Sequence, residues 1–182
     1  MAATPQLDAL TAGRVVVRPW RRRRDRHQID GWPPYTPALP AHWLVSPAPG
    51  DQKRVSYAVD LAGERRLIGR IGLRWVASGT AALGIALHPA YLGDGLGREA
   101  LQLINQIGLQ LGLAALRLDV AEENTRAIRC YQRVGFVASG LSWRDGYRYL
   151  AMARSLCDTR GWGEAYAPNT HDHRLSHPDL AV

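Results

Sequence analysis

Cysteine and lysine are scarce in this sequence, and long apolar runs are missing. The two cysteines, Cys130 and Cys157, form no metal-binding or redox spacing, so the chain has no evident disulfide framework. Scarce, unpatterned cysteine is typical of a reduced cytoplasmic setting. No segment approaches the ~20 apolar residues that span a bilayer. Residues 1–13 lack the basic and apolar parts of a secretory signal. We therefore expect a cytoplasmic protein without a membrane partner.

Positive charge is carried almost entirely by arginine. Lys53 is the only lysine among 23 basic residues, and the formal net charge is +7. Arginine binds phosphates and carboxylates through its forked geometry, so one interpretation is a polyanionic partner. We favour a general preference for arginine, because the basic residues are scattered and lack the interleaved aromatics of a nucleic-acid-binding surface. The run Arg21 to Arg24, with Arg26, is either a solvated patch or a contact for ribosomal RNA or cofactor phosphates.

The length of the chain fits one domain with a tail. We place the domain at residues 1–154 and a C-terminal extension at residues 155–182, where the periodic apolar pattern stops. The extension contains His171, His173 and His177. Because no cysteine accompanies them there, we predict a polar extension and no metal site.

One glycine-dense segment organises the chain. Leu83–Leu87 is a short apolar run that predicts a buried strand, and Pro89 ends it because proline cannot donate to a strand ladder. In the turn that follows, Gly93, Gly95 and Gly97 free the backbone of Cβ clashes, so that consecutive N–H groups can point at one ligand. The helix that begins there adds unpaired N–H groups and a partial positive charge. The segment therefore predicts an anion site, most naturally for phosphate.

Periodicity predicts the elements around this segment. Helical spacing of apolar residues from Leu96 to Leu111 indicates an amphipathic helix after the loop. A further helix is capped by Asn124 and ended by Gly135. Strands are predicted at Val15–Val17, Val55–Leu61, Leu67–Val76, Leu116–Val120, Phe136–Trp143 and Tyr147–Met152.

The order of these elements predicts a mixed sheet. The second and third strands form an antiparallel hairpin, whereas the crossover through the long helix places Leu116–Val120 parallel to Leu83–Leu87. Residues 32–49 are too rich in proline for a long helix and predict an irregular flap. Its aromatics, Trp32, Tyr35 and Trp43, either line a substrate mouth or pack in the core.

Two segments together resemble the GNAT superfamily of acetyl-CoA-dependent N-acetyltransferases. They are LGIALHPAYLGDGLGREAL, residues 83–101, and NTRAIRCYQRVGF, residues 124–136. With VVVRPWRRRRD and RRLIGRIGL nearer the start, the chain is most similar to the branch that acetylates ribosomal-protein N-termini. The resemblance implies an α/β (α+β) fold with acetyl-CoA as cofactor. Its mixed, mostly antiparallel sheet has about six to seven strands flanked by helices, with a splayed parallel pair at the cofactor site.

The glycine loop departs from the family pattern at its start. The family has Arg or Gln, two residues, Gly, one residue, and then Gly or Ala. Gly95 and Gly97 match, but Leu92 replaces the leading Arg or Gln and removes a side-chain contact to the pyrophosphate, while Asp94 adds negative charge nearby. By resemblance, the residues that contact the cofactor are Ile85, Leu87, Leu92, Gly93, Gly95, Leu96, Gly97, Arg98, Asn124 and Tyr131.

The resemblance also implies roles in catalysis. The pantetheine arm lies between the splayed strands, and an amide near Leu87 faces the thioester carbonyl. Asn124 contacts the arm, and Tyr131 is the catalytic acid that protonates sulfur. A phenol suits this role because it stays protonated at neutral pH. Taken alone, Asn124 would be a helix cap and Tyr131 a core aromatic.

A general base is not evident. Many relatives carry a glutamate at a position where this chain has Ala82 and Leu83. A water chain is one way to remove the amine proton. The side chains that could do so are His88, Asp119, Glu122 and Glu123.

The sequence therefore predicts an N-acetyltransferase that transfers an acetyl group from acetyl-CoA to a primary amine by direct attack. The acceptor is either a protein N-terminus, such as that of a ribosomal protein, or a small-molecule amine. The positive field disfavours polycationic amines unless the pocket is locally acidic. The resemblance also makes a homodimer an expectation.

Other functions remain as alternatives. Leu92, Asp94 and the missing glutamate favour a non-catalytic acyl-CoA-binding or interaction module of the same fold. A nucleotide-dependent oxidoreductase is a weaker interpretation, because Arg98 occupies the third glycine's place and antiparallel strands come first. RNA binding through Arg21 to Arg26 is the remaining alternative.

Overall fold

A computed structural model describes residues 8–33 and 53–157 of the chain. Most of the predicted proline-rich flap lies outside these residues, as do Tyr35 and Trp43. The C-terminal extension from residue 158 onward, with its three histidines, is outside them as well. Within the described part of the chain, no helix is long and apolar enough to cross a membrane.

Eight strands and three α-helices make up the fold within residues 8–33 and 53–157. The strands are β1 (Leu10–Ala12), β2 (Val15–Pro19), β3 (Arg54–Leu61), β4 (Arg66–Ala77), β5 (Thr80–Leu87), β6 (Ala115–Ala121), β7 (Val137–Arg144) and β8 (Tyr147–Ser155). The helices are α1 (Arg22–Asp30), α2 (Leu96–Gln110) and α3 (Thr125–Arg133), and a short 3-10 helix covers Pro89–Tyr91. The sequence predicted six to seven strands, and the additional one is β1, whose three residues are too few for alternation to be visible.

The strands form one mixed sheet in the order β1-β2-β3-β4-β5-β6-β8-β7. Every neighbouring pair is antiparallel except β5 and β6, which are parallel because α2 crosses over between them. The predicted hairpin is β3 and β4, and its register places Ala58 opposite Arg70. The predicted mixed, mostly antiparallel α/β fold with one parallel pair is confirmed.

The hydrophobic core lies between the sheet and α2. The helix turns its apolar face toward the sheet, as its spacing predicted, and its buried apolar side chains are those of Leu96, Ala100, Leu101, Leu103, Ile104 and Ile107. On β6, Leu116, Leu118 and Val120 are buried against this core, while Arg117 and Asp119 are exposed on the other face. Burial of each large apolar side chain contributes roughly 1.5–3 kcal/mol.

An arginine between two carboxylates fixes α1 to the sheet. The Arg18 guanidinium donates to Asp25 at 2.8 and 2.9 Å and to Asp60 at 2.6 and 3.1 Å. Asp25 is fully buried, and it also accepts from the Arg21 backbone N–H at 2.7 Å. Burial alone would raise the pKa of Asp25, but these hydrogen bonds favour its charged form and lower the pKa overall. The beginning of α1 is thereby held against β2 and β3.

Candidate functional site

The parallel strands β5 and β6 separate into a fork. Their pairing covers only Thr80 with Ala115, Ala81 with Leu116 and Ala82 with Arg117. Beyond this point β5 continues to Leu87 and β6 to Ala121 without further pairs between them. The splay expected between Ile85–Leu87 and the second half of β6 is therefore present.

Both arms of the fork are held from outside. β4 pairs with β5 as far as Gly69 opposite Leu87, and β8 pairs with β6 as far as Tyr149 opposite Ala121. The arms are consequently fixed by their outer neighbours, and the opening between them is part of the sheet's architecture. A slot of this kind presents strand backbone to an extended ligand.

The glycine loop lies at the end of the β5 arm. Gly93 and Gly95 have φ values of 101° and 83°, in the left-handed region that glycine adopts without a Cβ penalty. Gly95 is the N-cap of α2, no side chain caps the helix, and the Gly95 carbonyl accepts from the N–H groups of Arg98 and Glu99 at 3.0 and 3.2 Å. The amides of Leu96 and Gly97, together with the positive end of the helix dipole, are the groups that suit an anion.

Arg14, in the turn between β1 and β2, clamps the loop to α2. Its backbone N–H donates to Glu99 Oε2 at 2.7 Å, and its guanidinium donates to Glu99 Oε1 at 2.9 and 3.1 Å. The same guanidinium donates to the backbone carbonyl of Asp94. Burial acts to raise the pKa of Glu99, but the Arg14 bonds outweigh it and lower the pKa. Arg14 lies outside both of the segments that resemble the family. Its guanidinium nevertheless places a positive charge beside the glycine loop, in which Leu92 stands where the family has Arg or Gln.

The end of β5, the beginning of α2 and α3 meet at one point. A Cβ on Gly97 would lie 3.3 Å from Leu87 Cδ1 and 3.9 Å from Cys130 Sγ. On the other side of Leu87, a Cβ on Gly69 would lie 2.3 Å from Leu87 Cδ2. Glycine at both positions thus leaves room for the Leu87 side chain. The fold brings the predicted residues of β5 and the loop next to the helix that carries Tyr131.

Asn124 and Tyr131 occupy the beginning and the last turn of α3. The Asn124 side chain accepts from the Ala127 N–H at 3.2 Å, which confirms the helix cap. Tyr131 is half-buried, and its ring meets that of Phe136 edge-on at a centroid distance of 5.8 Å. Burial raises the pKa of Tyr131, with a smaller contribution from neighbouring Cys130, so the phenol keeps its proton.

The candidate bases differ in what already contacts them. His88 Nδ1 accepts from the Ala90 N–H at 3.1 Å, so the neutral imidazole carries its proton on Nε2. Neither ring nitrogen then has a lone pair available to accept the amine proton. Glu122 is paired with Arg148 at 3.1 Å, and Asp119 with Arg144 at 2.6 Å. Of these side chains, Asp119 lines a cavity at the fork.

That cavity has a volume of about 370 Å³ and includes the residues at the point where β5 and β6 part. Ala82 and Leu83, where many relatives carry a glutamate, line it. Among the residues that the structure describes, its charged lining consists of Asp119 and three arginines, namely Arg74, Arg117 and Arg144.

Sequence reasoning missed several of these residues. Arg14 and Glu99 are 85 positions apart, and no local signal connects a hairpin turn with a helix. Gly69 did carry a signal, because an isolated glycine within a strand marks a close approach of another group. The arginines of the cavity come from three separate strands and show no common pattern along the chain.

Comparison with known proteins gives a family and a fold. The family profile for "Acetyltransferase (GNAT) domain" matches residues 7–137. No curated protein sequence shows significant similarity to the chain.

Solved structures with this fold include several acetyltransferases. Vibrio cholerae spermidine N-acetyltransferase in complex with CoA and spermine is 19% identical, with a TM-score of 0.62 over 79% of this chain and 96% of that chain. A dodecameric form of the Vibrio cholerae enzyme is 20% identical, with a TM-score of 0.60 over 79% of this chain and 94% of that chain. A protein from Sphaerobacter thermophilus DSM 20745, described as a candidate acetyltransferase, is 19% identical, with a TM-score of 0.59 over 83% of this chain and 98% of that chain.

Proposed function

The chain belongs to the GNAT acetyltransferase family, and we propose that it transfers the acetyl group of acetyl-CoA to a primary amine by direct attack. Acetyltransferases of this family use acetyl-CoA as their acyl donor. The observation that carries the proposal is the fork between β5 and β6, which lies beside the glycine loop. The expected assignment to the branch that acetylates ribosomal-protein N-termini stays a prediction.

The residues around the fork fit acetyl-CoA. The loop offers backbone amides from Gly93 to Gly97 at the beginning of α2 for a phosphate group, whereas the Arg98 amide donates to the Gly95 carbonyl. The fork offers the backbone of Ile85 and Leu87 for an extended amide-containing arm, and Asn124 begins the neighbouring helix. Acetyl-CoA supplies a thioester whose carbonyl carbon accepts the amine and whose sulfur leaves.

Tyr131 is the proposed acid. Its half-buried position and raised pKa keep a proton on the phenol at neutral pH, where it is available to the departing sulfur. The chemistry requires the amine nitrogen to bond the carbonyl carbon as the carbon–sulfur bond breaks. The amine proton then leaves to Asp119 or to water, because Nδ1 of His88 is occupied by the Ala90 amide.

Membership of the family supports an amine as the acceptor, but it does not identify which amine is acetylated. The neighbours that act on spermidine are less than 25% identical to this chain, so they share its fold and leave the substrate open. A protein N-terminus and a small-molecule amine both fit the reaction. A homodimer in the cytoplasm is the expected setting and stays a prediction.

The alternative is a non-catalytic acyl-CoA-binding module, which Leu92 and Asp94 favour at the loop. Calorimetric titration with acetyl-CoA, with CoA and NADH as controls, tests the cofactor site. We expect micromolar binding of acetyl-CoA and none of NADH. No binding of acetyl-CoA would contradict both the enzyme and the acyl-CoA-binding module.

Turnover separates the enzyme from the module. We expect Tyr131→Phe to lower kcat by at least ~100-fold while the affinity for acetyl-CoA changes less than about twofold, since general acids contribute about this much. Tyr57→Phe is the matched control, because Tyr57 is a fully buried tyrosine whose hydroxyl has no partner among the described residues. Binding without CoA release in the wild-type protein would favour the module.

A further inference from the structure

We infer that the arginine-rich outer face of α1 binds single-stranded RNA through the phosphate groups of its backbone. This α1 arginine surface consists of the side chains of Arg21, Arg22, Arg23, Arg24 and Arg26, all of which are exposed. The inference goes beyond the proposed acetyl transfer and does not depend on it.

The one acid within this run of arginines points into the protein. Asp25 is fully buried, where it accepts from the Arg18 guanidinium at 2.8 and 2.9 Å and from the Arg21 N–H at 2.7 Å. Arg26 pairs with Asp30 at 3.8 Å, and both of these side chains are well exposed, so water screens the pair. The α1 arginine surface therefore faces solvent around a carboxylate that is directed inward.

The position of these arginines is unfavourable for the helix itself. The beginning of a helix carries a partial positive charge, which disfavours cations in the first turn. Arg21 is the N-cap but its side chain makes no capping hydrogen bond, and Arg22 to Arg24 follow it in the first turn. A run that opposes the stability of its own helix is expected where the side chains serve binding.

An open groove runs along the α1 arginine surface. Its volume is about 380 Å³, and it is lined by Arg22, Arg23, Arg26, His27 and Asp30. Arg22 and Arg26 are one helical turn apart, about 6 Å along the axis. The forked donors of arginine match the oxygens of a phosphate group. The groove therefore suits a chain of phosphates.

The exposure of the arginines favours a polymer over a small ligand. Each exposed ion pair contributes little in water. Useful affinity consequently requires several anionic groups on one molecule. A nucleic-acid strand meets this requirement, because every phosphate that an arginine neutralises releases counterions from the strand.

The outer face of α1 also favours a nucleic acid over a protein or a membrane. The exposed residues of the helix are Arg22, Arg23, Arg24, Arg26, His27 and Asp30. A protein interface has an apolar centre, and a helix bound to a membrane surface has an apolar face. Since α1 exposes neither, its outer face suits contacts through charge, as in binding to a phosphate backbone.

The arrangement of the arginines around the helix favours a single strand. Successive helical residues point about 100° apart, so Arg22, Arg23 and Arg24 together span more than half of the circumference. A flexible strand can follow such a curved surface, whereas a duplex is stiff over roughly 150 base pairs. RNA is the nucleic acid that presents single-stranded loops and ends to proteins.

Fluorescence anisotropy of the full-length protein with a labelled oligouridylate of about 20 nucleotides tests the inference. We expect a micromolar Kd at roughly 0.1 M salt. The slope of log K against log salt should be about −2, because each of three neutralised phosphates contributes about −0.7. An oligoadenylate should bind within about threefold, because phosphate contacts carry no base identity. A DNA duplex of the same length should bind more weakly.

Variants of the α1 arginine surface locate the effect. We expect replacement of Arg22, Arg23 and Arg26 together by Gln to lower the affinity by at least about tenfold and to bring the salt slope near zero. Replacement of the same three by Lys should keep the slope and lose part of the affinity, because lysine lacks the fork. The melting temperature of the Gln variant should not fall, since the helix dipole disfavours these cations. Arg23→Gln alone, with an expected loss of about threefold, serves if the triple variant does not fold.

The matched control removes three charges elsewhere. Arg65, Arg126 and Arg129 are exposed arginines of other elements, and their joint replacement by Gln gives the same change in net charge. This control should lose less than about threefold in affinity, because the inference depends on the α1 arginine surface and not on net charge.

Several results would overturn the inference. They are no binding of oligouridylate at low salt, an equal loss in the control and the α1 variant, and equal or tighter binding of the DNA duplex or of polyglutamate, which stands for an acidic protein. Acetyl-CoA binding and CoA release should be unchanged in the α1 variant. A wild-type protein that binds RNA but releases no CoA would count against the proposed function alone.

Discussion

The guanidinium of Arg14 lies 2.9 Å from the carboxylate of Glu99, and this pair joins the turn between β1 and β2 to the first turn of α2. Arg14 is 56% exposed at its side chain and Glu99 17%. Because Arg14 also donates to the Asp94 carbonyl, the pair fixes one side of the glycine loop. The loop is thus held by a residue outside the motif, in a chain whose motif begins with Leu92.

Replacement of Arg14 should weaken cofactor binding more than turnover. We expect Arg14→Met to raise KM for acetyl-CoA by roughly three- to tenfold, a moderate effect because solvent screens the exposed guanidinium. Steady-state kinetics at saturating amine measures this, and kcat should stay within about twofold. Arg65→Met is the matched control, because Arg65 is an exposed arginine in the turn between β3 and β4. An unchanged KM would mean that the loop holds its shape without the clamp.

Gly95 and Gly63 offer a matched pair in the left-handed region. Their φ values are 83° and 84°. A Cβ on Gly95 would lie 3.7 Å from the Arg14 guanidinium, and a Cβ on Gly63 would have no heavy atom of the described residues within 4 Å. Gly95→Ala and Gly63→Ala therefore impose the same backbone strain of about 1–2 kcal/mol. Both should lower the melting temperature by a similar amount. Only Gly95→Ala should raise Kd for acetyl-CoA in calorimetric titration. Equal affinities in the two variants would argue against the loop as a phosphate site.

Gly69 and Gly72 form a second matched pair on β4. A Cβ on Gly69 would meet Leu87 Cδ2 at 2.3 Å and the Ala86 carbonyl at 3.0 Å, whereas nothing lies within 4 Å of a Cβ on Gly72. We expect Gly69→Ala to destabilise the fold by roughly 1–3 kcal/mol through overpacking and to weaken acetyl-CoA binding by moving Leu87.

Gly72→Ala is the control for that experiment. Its free energy of unfolding should change by less than about 0.5 kcal/mol, as for other substitutions without close neighbours. Urea unfolding of both variants gives the comparison. Equal stability would mean that Leu87 has room to move aside.

Acid should destabilise the fold through Asp25. Because its pKa is lower in the folded state than in the unfolded chain, its contribution to stability is complete above an unfolded pKa of about 3.9 and is lost as pH falls through the folded value. Asp25→Asn should therefore reduce the free energy of unfolding at pH 7 by roughly 2–4 kcal/mol. It should also flatten the fall in stability below about pH 4.

Asp30→Asn provides the comparison for Asp25. Asp30 pairs with Arg26 at 3.8 Å on the surface of α1, and both side chains are well exposed. Pairs of this kind contribute little, so the variant should unfold like the wild-type protein at every pH. A loss of stability as large as that of Asp25→Asn would contradict the assignment of the acid sensitivity to the Arg18 cluster.

Local signals accounted for most of the elements. The apolar face of α2, the glycines with positive φ at Gly93 and Gly95, and the Asn124 cap each depend on residues within a few positions of one another. Such short-range patterns are readable because helix and strand periods are fixed by backbone geometry. The three-residue strand β1 was not predicted, because it is too short to show a recognisable alternation of apolar and polar residues.

The sequence by itself determined the strand, glycine loop and helix, the amphipathic face of α2, and the resemblance that implied acetyl-CoA. Only the tertiary structure decided where the parallel pairing ends at Ala82 and Arg117, and that Arg14 lies against the loop. It alone brought Arg74, Arg117 and Arg144 to one cavity. The physical reason is that these relationships join residues tens of positions apart, and strand order and register place them together without any repeat along the chain.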